Sequence, residues 1–207
     1  ATMKKIAAAS EGDYTLFYTK YNNLVMGYLA LERMVRLATD SKAAMVYADN
    51  YQVVEGKKSN APVIDYQFGS LRDDFNFGSV LFFCTKALKA AAAEIDVEYT
   101  AAGLYDLRLK VSRQGDLVHI NEYLYTEIAL PVATEGESHF SYVDPKNRGV
   151  QIEMEQACTD HLKKIGGYLE PKFEEINFNQ GDFEYEASVI IPVRNRVRTV
   201  RDAIKSV

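Results

Sequence analysis

The sequence predicts an α/β protein built on a mixed sheet flanked by helices, and three observations lead there. Short apolar runs of strand length recur along the chain, as in YTLFY at 14–18 and the runs at 45–47 and 79–83. Between them lie stretches whose apolar residues return every three or four positions, the period of a helix with one buried face. The balance of 47% hydrophobic and 26% charged residues over 207 positions is that of a folded chain able to bury a core.

In chain order, the alanine-rich residues 2–11 predict a helix. Strand 14–18 follows. Leu24, Tyr28, Leu31, Val35 and Ala38 then mark an amphipathic helix leading to the strand at 45–47, which ends in Ala48-Asp49-Asn50. Strand, helix, strand is the unit of an α/β sheet. Residues 52–54 and the turn after them read as a short separate strand. Residues 64–77 (IDYQFGSLRDDFNF) are polar, aromatic and glycine-punctuated without a period, so they predict a loop, and a long loop in a compact domain is more often functional than not. Strand 79–83 comes next, with Thr85 placed to cap a helix through residue 93. A helix over 100–112 closes at Gly115. Strands 117–121 and 123–129 flank a kink at Glu122. Residues 135–144 form a polar connection, and 145–165 a long helix stopped by Gly166-Gly167, suited to packing or dimerisation. Residues 168–186 read as an acidic linker. The charge shift supports a boundary there: residues 122–186 carry 14 acidic against 5 basic side chains, residues 187–207 only 1 against 5.

Composition narrows the function classes. No apolar run approaches the roughly 20 residues of a membrane helix, and no secretory leader is visible. The net charge of −5 gives no nucleic-acid footprint. Cys84 and Cys158 read as free thiols in a reducing compartment, and the single histidines His119, His139 and His161 make no zinc spacing. The expected location is therefore cytoplasmic, with peripheral association at the inner membrane as its variant.

The last twenty residues, SVIIPVRNRVRTVRDAIKSV, combine a β-branched strand, a corner at Pro192 to Asn195 and an amphipathic helix that Asn195 can cap. A strand feeding a helix N-terminus is where α/β folds hold phosphate. This stretch resembles the opening signature of family-2 glycosyltransferases, which have the GT-A fold. By that resemblance Pro192 and Asn195 would lie against the nucleotide of a sugar donor, with Arg194 where the family usually has tyrosine. The body of the chain is similar to the same family from its middle onward: GDYTLFYTKYNNL, ALERMV, MVYADNY, FGSVLFFCTKALKAA and GLYDLRLKVSRQGDLVHINEYLY follow the family's order of motifs over residues 10–125.

What the resemblance implies is an acceptor-side half of a GT-A domain. Its fold would be a truncated, Rossmann-type mixed sheet, followed by a long helix, an extended linker and the first βα unit of a second GT-A domain. The domains would be 1–130, a connection and long helix at 131–167, the linker at 168–186, and the incomplete second domain at 187–207. Thr19-Lys20-Tyr21 stands where the family places its metal-binding Asp-x-Asp, and Gly103-Leu104 where it places its catalytic carboxylate. The expectation is thus no metal or cofactor in this portion, and Mn or Mg for a full second domain. The parent enzyme would move a sugar from a nucleotide-sugar donor to a glycan or lipid-linked acceptor with inversion, while this portion alone would be inactive and would bind acceptor or serve as scaffold. Candidate acid/base residues are Asp73, Asp74 and Asp49, since a carboxylate can bind sugar hydroxyls or take a proton. Candidate acceptor-binding residues are Arg72, Asp73, Asp74, Asn76 and Asp106. Tyr105, Asp106 and Arg108 also suit an internal helix network, and Glu122 and Tyr125 a structural role. The rival reading is a non-catalytic interaction or carbohydrate-binding module, with a homo-oligomer among its expectations.

Overall fold

The computed structural model describes residues 2–130, 147–177, 181 and 187–207. The expected connection at 135–144 and the predicted helix start at residues 145 and 146 lie outside them. The chain divides into two compact units, Ala1–Tyr168 and Leu169–Val207.

The first unit is α/β. Its elements are α1 (Thr2–Ala9), β1 (Tyr14–Tyr18), β2 (Asn23–Met26), α2 (Ala30–Ser41), β3 (Met45–Val54), β4 (Lys57–Ala61), β5 (Val80–Cys84), α3 (Thr85–Ala93), α4 (Gly103–Ser112), β6 (Leu117–Ile128) and α5 (Arg148–Ile165). The sheet runs β1-β5-β3-β6-β2, with β4 paired to the outer half of β3. It is mixed: β3 and β6 are parallel, and β1–β5, β5–β3, β3–β4 and β2–β6 are antiparallel.

β3 organises the unit. Its first six residues are buried and its last four alternate with solvent. Met45 and Val46 are held between β5 and β6, the position of a central strand covered on both faces. Helix α2 covers one face through Ala30, Met34 and Ala38, which pack with Val46, Ala48, Phe82 and Ile120. Helices α1, α3 and α4 cover the other, where Met45, Tyr47, Leu81, Phe83, Leu88 and Leu107 form the larger cluster. Each such side chain taken fully out of water contributes roughly 1.5–3 kcal/mol. Helix α5 adds an outer layer on α4 through Ala157, packed with Tyr105 and Leu109.

Several local expectations need correction. Residues 23–26 form β2 rather than the start of the amphipathic helix, and its two side-chain rows alternate between exposed and half-buried as a strand requires. Helix α2 therefore begins later and buries the Ala30-Met34-Ala38 stripe, leaving Leu31 and Val35 exposed. Residues 45–54 are one strand, because the β4 hairpin and β6 give its outer half ladder partners after Asn50. Likewise 117–128 is one strand; the expected kink appears as a bulge, with β6 advancing from Ile120 to Tyr125 while β3 advances from Ala48 to Asn50. Thr85 does not cap α3. Cys84 holds the cap position without a side-chain bond, and the Thr85 hydroxyl pairs with Thr15 at 2.8 Å.

Helix α4 starts at Gly103, and its capping comes from another helix. The Glu153 carboxylate of α5 accepts the N–H groups of Thr100, Ala101 and Ala102 at 3.1, 2.7 and 3.1 Å. Those are unpaired donors of the kind a helix start leaves, and an anion there also meets the positive end of the helix. The helix ends at Ser112 with Arg113 as its C-cap; Gly115 lies beyond it, against Ala44. Helix α5 stops at Gly166, whose φ of 74° is the left-handed conformation glycine adopts at low cost.

In the second unit, residues 187–193 form no strand, and α6 (Val197–Lys205) follows. Asn195 does not cap α6. It takes a φ of 55°, Arg196 holds the cap position, and no side-chain bond closes it.

Candidate functional site

The carboxyl ends of β1, β3 and β6 and the start of β5 lie along one edge of the sheet, because the first three run parallel and β5 runs against them. A cleft of about 440 Å³ opens there, a size that suits a small ligand. Lys20 reaches it from the end of β1, Asn50 and Gln52 from β3, Asp74 and Asn76 from the irregular loop, Ser79 from the start of β5 and Glu127 from β6. Phe75 and Phe77 supply apolar wall. The donors and acceptors are of both kinds: carboxamides, carboxylates, a hydroxyl and an ammonium.

Three of these groups are buried in the fold: Asn50, Ser79 and Glu127. Asn22 Nδ2 donates to Glu127 Oε1 at 2.5 Å, which fixes the carboxylate across β2 and β6. The Ser79 side chain is different. Its residue is 2% exposed, yet its hydroxyl oxygen has no hydrogen-bond partner among the described residues. A buried polar atom without a partner is rare and calls for one. The backbone around it is fully committed. The N–H groups of Ser79 and Val80 both donate to the Tyr125 hydroxyl, at 2.8 and 3.3 Å, and Ser79 C=O accepts the Thr19 N–H at 2.9 Å. A side chain at Gly78 would run into that same hydroxyl, at 2.3 Å from an added Cβ. Tyr125 thus holds the floor of the cleft in place.

The loop that carries Asp74 and Asn76 is pinned along its length. At its start the Asp49 carboxylate accepts the Val63 N–H at 2.8 Å, while the Tyr47 hydroxyl donates to Ile64 C=O and accepts from Tyr66 N–H. Burial pushes that hydroxyl's pKa up to about 12, so it remains an O–H donor. His119 stacks on the Tyr47 ring and places Nε2 2.9 Å from Asp49 and Nδ1 2.7 Å from Asp65. Further on, Arg108 donates to the carbonyls of Ser70 and Arg72, at 3.2 and 2.7 Å, and the Tyr105 hydroxyl donates to Leu71 C=O. Burial lowers the pKa of the Arg108 guanidinium and raises that of the Tyr105 hydroxyl.

The structure separates the sequence candidates. Asp74 and Asn76 line the cleft. Arg72 holds the Asp74 carboxylate bidentately at 2.8 and 2.7 Å, and that bond keeps Asp74 below the usual carboxylate range. Arg72 and Asp73 sit beside the cleft without lining it; Asp73 accepts the N–H of the adjacent Asp74 at 3.1 Å. Asp49 is 2% exposed and committed to Val63 and His119, so it holds the loop rather than facing the cleft. Asp106 is buried on α4 and paired with Lys110, away from the others; burial raises its pKa. Glu122 pairs with Arg33 on the surface. Pro192 and Asn195 belong to the second unit.

Sequence reasoning named Lys20 but missed Asn50, Gln52, Ser79 and Glu127. Asn50 looked like a strand terminator, and the other three read as ordinary strand or turn residues. The available signal was Asn50, Gln52 and Glu127 as polar residues near the ends of apolar strands, where α/β sheets bind ligands. Among the described residues no group of three or more His, Cys, Asp or Glu side chains is arranged to hold a metal ion, and no helix is long and apolar enough to cross a membrane. No protein-family model matches the chain, and no curated protein matches it.

Proposed function

We propose that residues 1–130 form the acceptor-binding part of a family-2 glycosyltransferase, one that moves a sugar from a nucleotide-sugar donor to a glycan or lipid-linked acceptor with inversion. The observation that carries this is the polar lining of the cleft, where Lys20, Asn50, Gln52, Asp74, Asn76 and Glu127 set donors and acceptors beside Phe75 and Phe77. A ligand dense in hydroxyl groups can pair with the exposed groups among these, because each hydroxyl both donates and accepts. Asp74 and Glu127 accept from sugar O–H groups; Lys20 donates to a sugar oxygen; the carboxamides do both. Phe75 and Phe77 offer apolar surface to a sugar ring. Lys20, in place of the family's metal-binding carboxylates, favours a role in holding acceptor. Donor binding and its divalent metal fall to the domain that residues 187–207 would begin.

The test is calorimetry and a glycan array on the 207-residue chain. Binding of an oligosaccharide is expected, weakened about tenfold or more by Asp74→Ala and by Gln52→Ala. That is the loss of one or two hydrogen bonds, roughly 1.4 kcal/mol or above. Nucleotide-sugar binding with Mn²⁺ is expected to be undetectable. Glycan binding that survives both substitutions, or no glycan binding at all, would overturn the assignment.

A further inference from the structure

Three strands of the sheet have an open side among the described residues: β1, β2 and β4. Unpaired edges invite another strand, and folded proteins guard them with charge, proline, bulges or brevity. β4 is guarded by Lys57 and Lys58, and β2 has only four residues. β1 carries no such device. Its five residues, YTLFY, are uncharged, in regular register with β5, and all half-buried, whereas four of the five residues of neighbouring β5 are buried.

The ladder fixes what β1 presents. Thr85 N–H donates to Asp13 C=O and Thr19 N–H to Ser79 C=O, both at 2.9 Å. Residues 13, 15, 17 and 19 therefore exchange bonds with β5, and the N–H and C=O groups of Tyr14, Leu16 and Tyr18 point away from the sheet. These three residues are spaced symmetrically about Leu16. An antiparallel copy of the same strand, related by a twofold axis at Leu16, sets Tyr14 opposite Tyr18 of the second copy and Leu16 opposite Leu16. All three outward residues then become hydrogen-bonded pairs. The flanks are complementary as well: Glu11 and Asp13 precede the strand and Lys20 follows it, so the antiparallel arrangement brings each acidic end beside the other copy's lysine.

We propose that β1 is a self-pairing edge, through which two copies of this chain join their sheets in an isologous antiparallel dimer. The inference rests on the edge and shares only Lys20 with the acceptor reading; Leu16→Pro and the Glu11/Asp13 variant test it without touching the cleft.

Sedimentation over a concentration series tests it. The wild-type chain is expected to reach twice the monomer mass. Lys20→Glu, and separately Glu11→Lys with Asp13→Lys, are expected to remain monomeric, and the triple variant that exchanges both ends to recover the dimer. Leu16→Pro removes an outward N–H without touching a β5 bond and is also expected to be monomeric. Circular dichroism identifies any variant that fails to fold, and the remaining set still decides. Hydrogen exchange at Tyr14, Leu16 and Tyr18 is expected to slow as concentration rises. A wild-type monomer throughout, a dimer indifferent to the charge changes, or protection independent of concentration (a segment of the same chain on the edge) would each overturn the proposal.

Discussion

The loop at 62–78 and the segment at 187–193 differ in how their backbones are held, against the regularity of their sequences. The loop has no period and forms no helix or strand, yet its backbone is held by Asp49, Tyr47, Tyr105 and Arg108, side chains from the sheet and from α4. Segment 187–193 has the β-branched run of a central strand, yet it makes no ladder, and Ile190 is 87% exposed. Order in this chain follows from whether backbone polar groups find partners and apolar side chains find cover, rather than from how regular the local sequence looks. A strand sequence is only half of a strand.

The comparison is broken most directly at Arg108. Arg108→Ala takes away the donor to two loop carbonyls and leaves a hole among Tyr66, Phe77 and Tyr105, whose rings surround the guanidinium. A loss of about 4 kcal/mol is expected, read as a lower urea midpoint, together with faster exchange of the loop amides. If stability falls while loop exchange is unchanged, Arg108 is not what holds the loop.

A second measurement uses pH. His161, on α5 and 1% exposed, has its pKa lowered to about 4, first by burial and then by the positive charges of Arg113 and Arg108. The folded state prefers the neutral ring, and the unfolded chain titrates near the ordinary value of 6.5. That contribution is fully present above about pH 6.5 and is lost as pH falls toward 4, a total of up to about 3 kcal/mol. His161→Leu should flatten this part of the stability profile; an unchanged slope would place the acid sensitivity elsewhere.

The smallest effect is expected in the exposed segment. Ile190→Asp should change the stability of the first unit by less than about 0.5 kcal/mol, as for a substitution without native contacts. A larger drop in thermal denaturation would mean that Ile190 is covered, and the contrast with the loop would fail.

The mixed α/β class, the strands at 14–18, 45–47 and 79–83 and the loop were legible because each depends on local apolar patterning. What escaped depended on partners distant in sequence. Leu24 to Met26 reads as helix until Tyr125 to Glu127 is seen to pair with it. Residues 52–54 read as a separate strand until β6 continues beside them. The start of α4 is set by Glu153, some fifty residues away, and could not be read from its own neighbours. The cleft was half legible. Asp74 and Asn76 were found because the loop looked irregular and polar. Ser79 was not, because its place in the cleft follows from the pairing of β1 with β5, which brings Thr19 onto its carbonyl.

The bulge between β3 and β6 has a consequence for how such a domain can change. Below it, the two strands pair step for step inside the core; above it, they pair again in a new register that carries Asn50, Gln52 and Glu127 to the cleft. The three extra residues of β6 work like an expansion joint. Insertions, deletions or altered twist in the cleft-facing half can be absorbed there without transmitting a shift into the buried half. The upper sheet and the cleft on it could therefore be redrawn while the lower half is kept intact.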